Sequence, residues 1–175
     1  MERLSVLKNI ITILKKKDIK LSKILIQKVI FFIKELYPNH GFGYRFEMYK
    51  YGPYSHELSS DLDILKIQGE IDIKGNEILI NNDNDVIDND RLTSFVANTL
   101  LPLFKDNDDF NTIELLGTVL YCIKALQENG LKLNKESVIQ EVKGWKGTKY
   151  DDTVIGEAYN RVINLVDSGW LLVDS

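Results

Sequence analysis

The segment from Leu21 to Tyr37 constrains the fold more than any other part of the chain. Ile24, Leu25, Val29, Phe32, Ile33 and Leu36 recur at helical spacing, and Ile26, Ile30 and Phe31 fill further positions round the same cylinder. A helix this apolar round its circumference has to be enclosed by other elements, so it is predicted at the centre of the molecule, ended by Pro38. Before it, Leu4, Leu7, Ile10, Ile11 and Leu14 predict a first helix. That helix closes in Lys15-Lys16-Lys17, where cations suit the negative end of the helix dipole.

After the central helix, Asn39-His40-Gly41-Phe42-Gly43 reads as a loop. Tyr44 to Tyr51 then alternates as a short extended stretch that stops at Gly52-Pro53. Ser55 is an N-cap, with Glu57 in the favourable first turn of a third helix that buries Leu58, Leu62 and Leu65. Ile71 and Ile73 against Ile78 and Ile80, with Gly75-Asn76 between them, predict a hairpin. Helix, helix, short strand, helix, hairpin is the element order of a winged helix, and it is assigned to residues 1–81.

The acidic, polar run over residues 82–90 is taken as a linker. It lacks the turn glycine and terminal glutamate of a calcium loop. Residues 91–175 then form a helical half. One helix runs through Leu92, Phe95, Val96, Thr99, Leu100 and Leu103, and another from Asn111 to about Gln127. A short helix capped by Asn134 is followed by turns at Gly144 and Gly147. The last helix, about Asp151 to Ser168, turns Val154, Ile155, Ala158, Val162, Leu165 and Val166 inward, and Trp170-Leu171-Leu172-Val173 lies against the core. The expected fold is mainly α with a small β-hairpin, a winged-helix-like N-terminal half packed against the helical half.

A lone cysteine, Cys122, can form neither an internal disulfide nor a tetrahedral metal site, and it falls inside an apolar helical pattern, which fits a cytoplasmic protein. Acidic Glu2 and the absence of a long uncharged apolar run argue against a signal peptide or a spanning helix. Net charge is −4, unevenly distributed: residues 1–81 hold 13 Lys+Arg against 10 Asp+Glu, leaving 9 of the 22 basic and 16 of the 26 acidic residues for the rest. Such a contrast suits a partner surface, although solvated charge also produces it.

The residues offer no readable catalytic centre. His40 lies in a loop and His56 at the start of a helix. Ser55 beside His56 is not a dyad, because neighbouring helical residues point about 100° apart. Neither a phosphate-cradling glycine loop nor a metal-ligand spacing is present, so no cofactor or metal is implied.

Three stretches could make contacts. Tyr49-Lys50-Tyr51-Gly52-Pro53-Tyr54-Ser55-His56-Glu57 is the densest. Tyrosines at a Gly-Pro corner serve either to fix the turn or to bind a partner, and both readings stand. Lys15, Lys16, Lys17 and Lys20, with Lys23, form either a solvated helix end or a surface for an acidic partner. Lys143, Trp145, Lys146 and Lys149, in a flexible setting, mix cations and aromatics as nucleic-acid binders do, but Trp145 also serves simply to anchor a loop. The third helix offers Ser59, Ser60, Asp61 and Asp63 to solvent with Lys66 its only cation, a face that phosphates would repel. Another protein is therefore the first partner class, and nucleic acid the second.

Leu25-Ile26-Gln27-Lys28-Val29-Ile30-Phe31-Phe32, then Phe46 to Leu58 through Tyr51-Gly52-Pro53, then Asp61-Leu62, Leu65 and Gly69, resemble the uncharacterised bacterial and archaeal YwgA-like proteins. More distantly they resemble the Panacea (SocA-like) antitoxin domain, in which a helix with a Gln-Lys pair precedes a Tyr-Gly-Pro corner. The resemblance implies a helical fold with a small sheet and, for the Panacea relatives, neutralisation of toxins by binding. Tyr54-Ser55-His56-Glu57 follows the uncharacterised branch. The expected function is a non-catalytic protein-interaction module, antitoxin-like or a defence-associated accessory protein; the alternative is a winged-helix DNA-binding regulator.

Overall fold

The computed structural model describes residues 3–37, 42–81, 90–104 and 109–166. Helix α1 spans Arg3–Lys16 and α2 spans Lys23–Leu36. Apart from Lys23, Lys34 and Glu35, every residue of α2 is buried, which places it at the centre as its wide apolar arc requires. Ser22 caps it by accepting from the Leu25 N–H at 3.1 Å, an interaction typically worth about 1 kcal/mol.

The extended stretch after α2 does not stop at Gly52-Pro53. Strand β1 (Glu47–Tyr49) turns through Lys50-Tyr51 and returns as β2 (Gly52–Tyr54), pairing Met48 with Pro53. Pro53 is tolerated because its missing N–H falls at a position where this short ladder needs no donor. Ser55 caps α3 (His56–Ile67), which buries Leu58, Leu62 and Leu65 as its spacing predicts. The second hairpin pairs β3 (Ile71–Lys74) with β4 (Glu77–Ile80) in the predicted register, Ile71 opposite Ile80 and Ile73 opposite Ile78. A bridge between Ser22 and Glu77, with Ile78 N–H donating to Leu21 O at 3.1 Å, lays the start of α2 beside β4.

The helix expected through Leu92 to Leu103 is broken. Helix α4 (Asp90–Phe95) opens into a π-helical turn over Val96–Leu100, where the Leu101 N–H reaches back to Val96 O, and then tightens into α5 (Leu101–Phe104). Pro102 is the physical reason: it has no N–H to donate, and a widened turn beside it accommodates its ring. Helix α6 spans Phe110–Glu128, α7 Lys135–Lys146 and α8 Asp152–Leu165. Helix α7 runs through Gly144 and ends only at Gly147, whose φ of +58° suits glycine, so the turn expected at Gly144 is absent. In α8, Ile155, Ala158 and Val162 face the core, but Val154 is 42% exposed, contrary to its predicted inward position. It belongs to the first turn, where the chain has only begun to pack.

The protein is mainly helical with two small antiparallel hairpins. α2 packs on β2 and α6, α1 on the π-helical turn, and α6 on α7 and α8, so one core cluster includes residues from both sides of the predicted linker. Residues 82–89 of that linker, His40, and Trp170 to Val173 lie outside the described residues. Among the described residues, no helix is long and apolar enough to cross a membrane.

Candidate functional site

Two polar side chains leave the central helix toward the Tyr51–Ser55 corner. Gln27 uses both ends of its amide on one residue: Nε2 donates to the Ser55 carbonyl at 3.0 Å, and Oε1 accepts from the Ser55 N–H at 2.9 Å. Lys28 Nζ donates to the Pro53 carbonyl at 2.9 Å. Both side chains are buried, Lys28 to 1% exposure. Burial drives the Lys28 pKa down to about 7 and nearby Lys146 pushes the same way, against the attraction of Glu114.

Space for this buried lysine comes from two glycines. A Cβ on Gly117 of α6 would lie 2.7 Å from Lys28 Cδ. One on Gly52 would lie 3.1 Å from Lys28 Cε and 3.2 Å from Thr118 Oγ1, and Gly52 also holds φ +90°. The Gly of the Gly-Pro corner is therefore required twice, for its backbone conformation and for the bare surface it leaves to Lys28.

On the neighbouring turn of α6, Glu114 is fully buried and accepts from Lys149 at 2.8 Å and Lys146 at 2.9 Å. Burial alone would raise its pKa; the hydrogen bonds from the two lysines outweigh that and hold the carboxyl below its usual range. Lys146 Nζ also donates to the Lys50 carbonyl at 2.9 Å. This bond joins the end of α7 to the β1–β2 turn, so two stretches separated by almost a hundred residues share one surface. The 143–149 stretch is thus the last turn of α7 and an ordered connection, rather than the flexible loop the composition suggested.

Outward from this polar core, Tyr49 and Tyr51 are 42% and 46% exposed. Tyr49 stands edge-on to Tyr54 and His56, with its hydroxyl 2.9 Å from His56 Nε2. Tyr51 stands edge-on to Phe110. A hollow of about 190 Å³ opens between Lys28, Lys50, Gly52 and these tyrosines. Trp145, 53% exposed, lies edge-on to Tyr121 at the end of the same α7 helix.

The predicted contact residues therefore divide. Tyr49, Tyr51 and His56 are exposed and Tyr54 and Glu57 half-buried, whereas Gly52, Pro53 and Ser55 are buried and support the others. Ser55 Oγ accepts from the Leu58 N–H at 3.2 Å, the cap its position predicts. Lys146 and Lys149 are engaged by Glu114, and Lys143 pairs with Asp152 at 3.0 Å. Lys15, Lys16, Lys17 and Lys20 stay exposed round the α1–α2 connection.

Asp61 is a correction. Placed on the solvent face of α3 from its spacing, it is 4% exposed, accepting from Tyr44 Oη at 2.6 Å and from Arg3 Nε at 2.7 Å. A partner from the far end of the chain makes this burial affordable. The outward face of α3 accordingly carries Ser60, Asp63 and Lys66, with Ile64 38% and Ile67 84% exposed.

Gln27 and Lys28 entered the sequence reading only as the Gln-Lys pair of the family resemblance, with no role assigned, and Glu114 did not enter it. The available signal was a polar pair interrupting a helix with no solvent face, and an acid within Ile113-Glu114-Leu115-Leu116. Among the described residues no group of three His, Cys, Asp or Glu side chains could hold a metal ion. No family model matches the chain, and no curated protein matches it.

Proposed function

We propose that this chain is a protein-interaction module that docks a partner on the Tyr49–Glu57 corner and the adjoining end of α7. The supporting observation is the contrast between a fixed backbone and exposed rings at this corner. Gln27 and Lys28 hold its backbone by buried hydrogen bonds, while Tyr49 and Tyr51 remain exposed. Exposed aromatics on a backbone that loses little freedom on association are favourable anchors, because the ordering cost is already met in folding. The likeness to the Panacea domain supports a toxin or another defence-associated protein as that partner, and the single free cysteine supports a cytoplasmic setting.

Alanine replacements at Tyr49 and Tyr51 test this. Both variants should fold with unchanged melting temperature, yet lose at least tenfold in affinity for partners isolated with the wild-type protein from its host. Retention of every partner by the folded double variant would refute the assignment.

A second reading, a winged-helix DNA-binding regulator, is favoured by one observation. The Ser22–Glu77 bridge adds the strand position that a winged helix carries between its first two helices. Against it, α3 would enter the groove with Asp63, Ile64 and Ile67 outward and Lys66 the cation. Duplex DNA binding at low ionic strength with a steep salt dependence would restore it.

A further inference from the structure

The hollow at the β1–β2 turn, about 190 Å³, is lined by Lys28, Tyr49, Lys50, Tyr51, Gly52 and Tyr54. It falls below the range of small-molecule sites, roughly 300–1,000 Å³, and suits one side chain of a larger partner. Its accessible walls are almost wholly apolar. Two of its rings, Tyr49 and Tyr54, already meet edge-on with centroids 5.5 Å apart, and a further ring can join such an arrangement at the same favourable angle. The backbone round the hollow is fixed by Lys28 on the Pro53 carbonyl and Gln27 on Ser55, so the walls are set before a partner arrives.

Both charged residues of the lining are lysines. Lys28 is committed to Pro53, but Lys50 is exposed, with Nζ 5.4 Å from the centroid of the Tyr51 ring and in no ion pair with a described residue. Of the acids nearby, Glu47 accepts from the Tyr49 hydroxyl at 3.4 Å, and Glu114 is shared by Lys146 and Lys149. Lys146 also donates to the Lys50 carbonyl, which brings a further cation to the turn. The charge that complements this edge of the hollow is a carboxylate.

We propose that the hollow receives one aromatic side chain of the protein partner, presented beside a carboxylate that meets Lys50. This rests on the corner docking a partner, and it gives the partner's contact segment a chemistry: an aromatic residue next to Asp or Glu. A single side chain filling a preformed pocket is the usual form of an interface anchor.

Proton–nitrogen NMR of the full chain at low ionic strength, titrated with acetyl-Glu-Phe-Glu-amide, acetyl-Glu-Ala-Glu-amide and acetyl-Lys-Phe-Lys-amide, tests each half of the site. The Glu-Phe-Glu peptide should shift the amides of Tyr49, Lys50, Tyr51, Gly52 and Tyr54, and bind at least fivefold tighter than either of the others. The K50E variant should weaken it at least fivefold with the peptide-free melting temperature unchanged. Unmoved amides, equal affinity for the alanine or the lysine peptide, or indifference to K50E would overturn the proposal. If host partners are nevertheless lost from the Tyr49/Tyr51 double alanine variant, the corner still docks them and only the aromatic-carboxylate assignment falls.

Discussion

Lys28 of the central helix lies across the bare backbone of Gly117, so closely that a Cβ there would stand 2.7 Å from Lys28 Cδ. The two residues are eighty-nine positions apart in sequence, and each explains the other: the lysine is buried because α6 has no side chain at that point. Gly117→Ala should cost about 1–3 kcal/mol through overpacking. With Lys28→Ala in the same chain the loss should fall short of the sum of the single losses by about 1 kcal/mol or more. Urea unfolding of the four-member cycle measures this, and strict additivity would mean the contact is absent.

Lys28 also sets a pH dependence. Its folded pKa, about 7, is depressed from the ordinary 10.5, so between these values the unfolded chain binds the extra proton. Its contribution to stability is fully present above about 10.5 and is lost as pH falls through that window toward 7. Cys122, raised by burial to about 12, acts in the opposite direction above its ordinary value of 9, leaving pH 7 to 8.5 as the clear interval. Stability should rise with pH across that interval in the wild type, and the rise should flatten in Lys28→Met.

Gln27→Leu keeps the volume of the side chain and removes both of its bonds to Ser55. The Ser55 N–H would be left buried and unpaired, while its carbonyl still accepts from Ser59. A loss of about 1–3 kcal/mol is expected. Hydrogen exchange of the Ser55 amide should accelerate ahead of amides in the α6 interior.

Glu114→Gln leaves Lys146 and Lys149 without their shared counter-charge. Breaking a buried pair typically costs about 3–5 kcal/mol. The Lys28 pKa should fall further as well, since Glu114 is the group that raises it. Nitrogen-detected NMR of the Lys28 side chain reads this shift, and no movement would separate the two groups electrically.

Cys122 is buried among apolar neighbours of α6, and its thiol is held in the protonated form at neutral pH. Alkylation by iodoacetamide at pH 8 should be at least a hundredfold slower in the native protein than in 6 M guanidinium. Native-state labelling at the unfolded rate would contradict the packing of α6.

Local and periodic features were legible in the residues alone. The wide apolar arc of α2, the Ser55 and Asn134 caps, and the Gly75-Asn76 turn each depend on residues within a few positions, where helical and strand repeats fix geometry directly. Which charges lie inside depends on contacts between distant parts of the chain. Asp61 appears exposed by spacing but is buried because Arg3 and Tyr44 meet it, and Glu114 because Lys146 and Lys149 do. A charge is buried only when counter-charge and hydrogen bonds arrive from elsewhere in the chain, and spacing along one helix carries no record of where those partners come from.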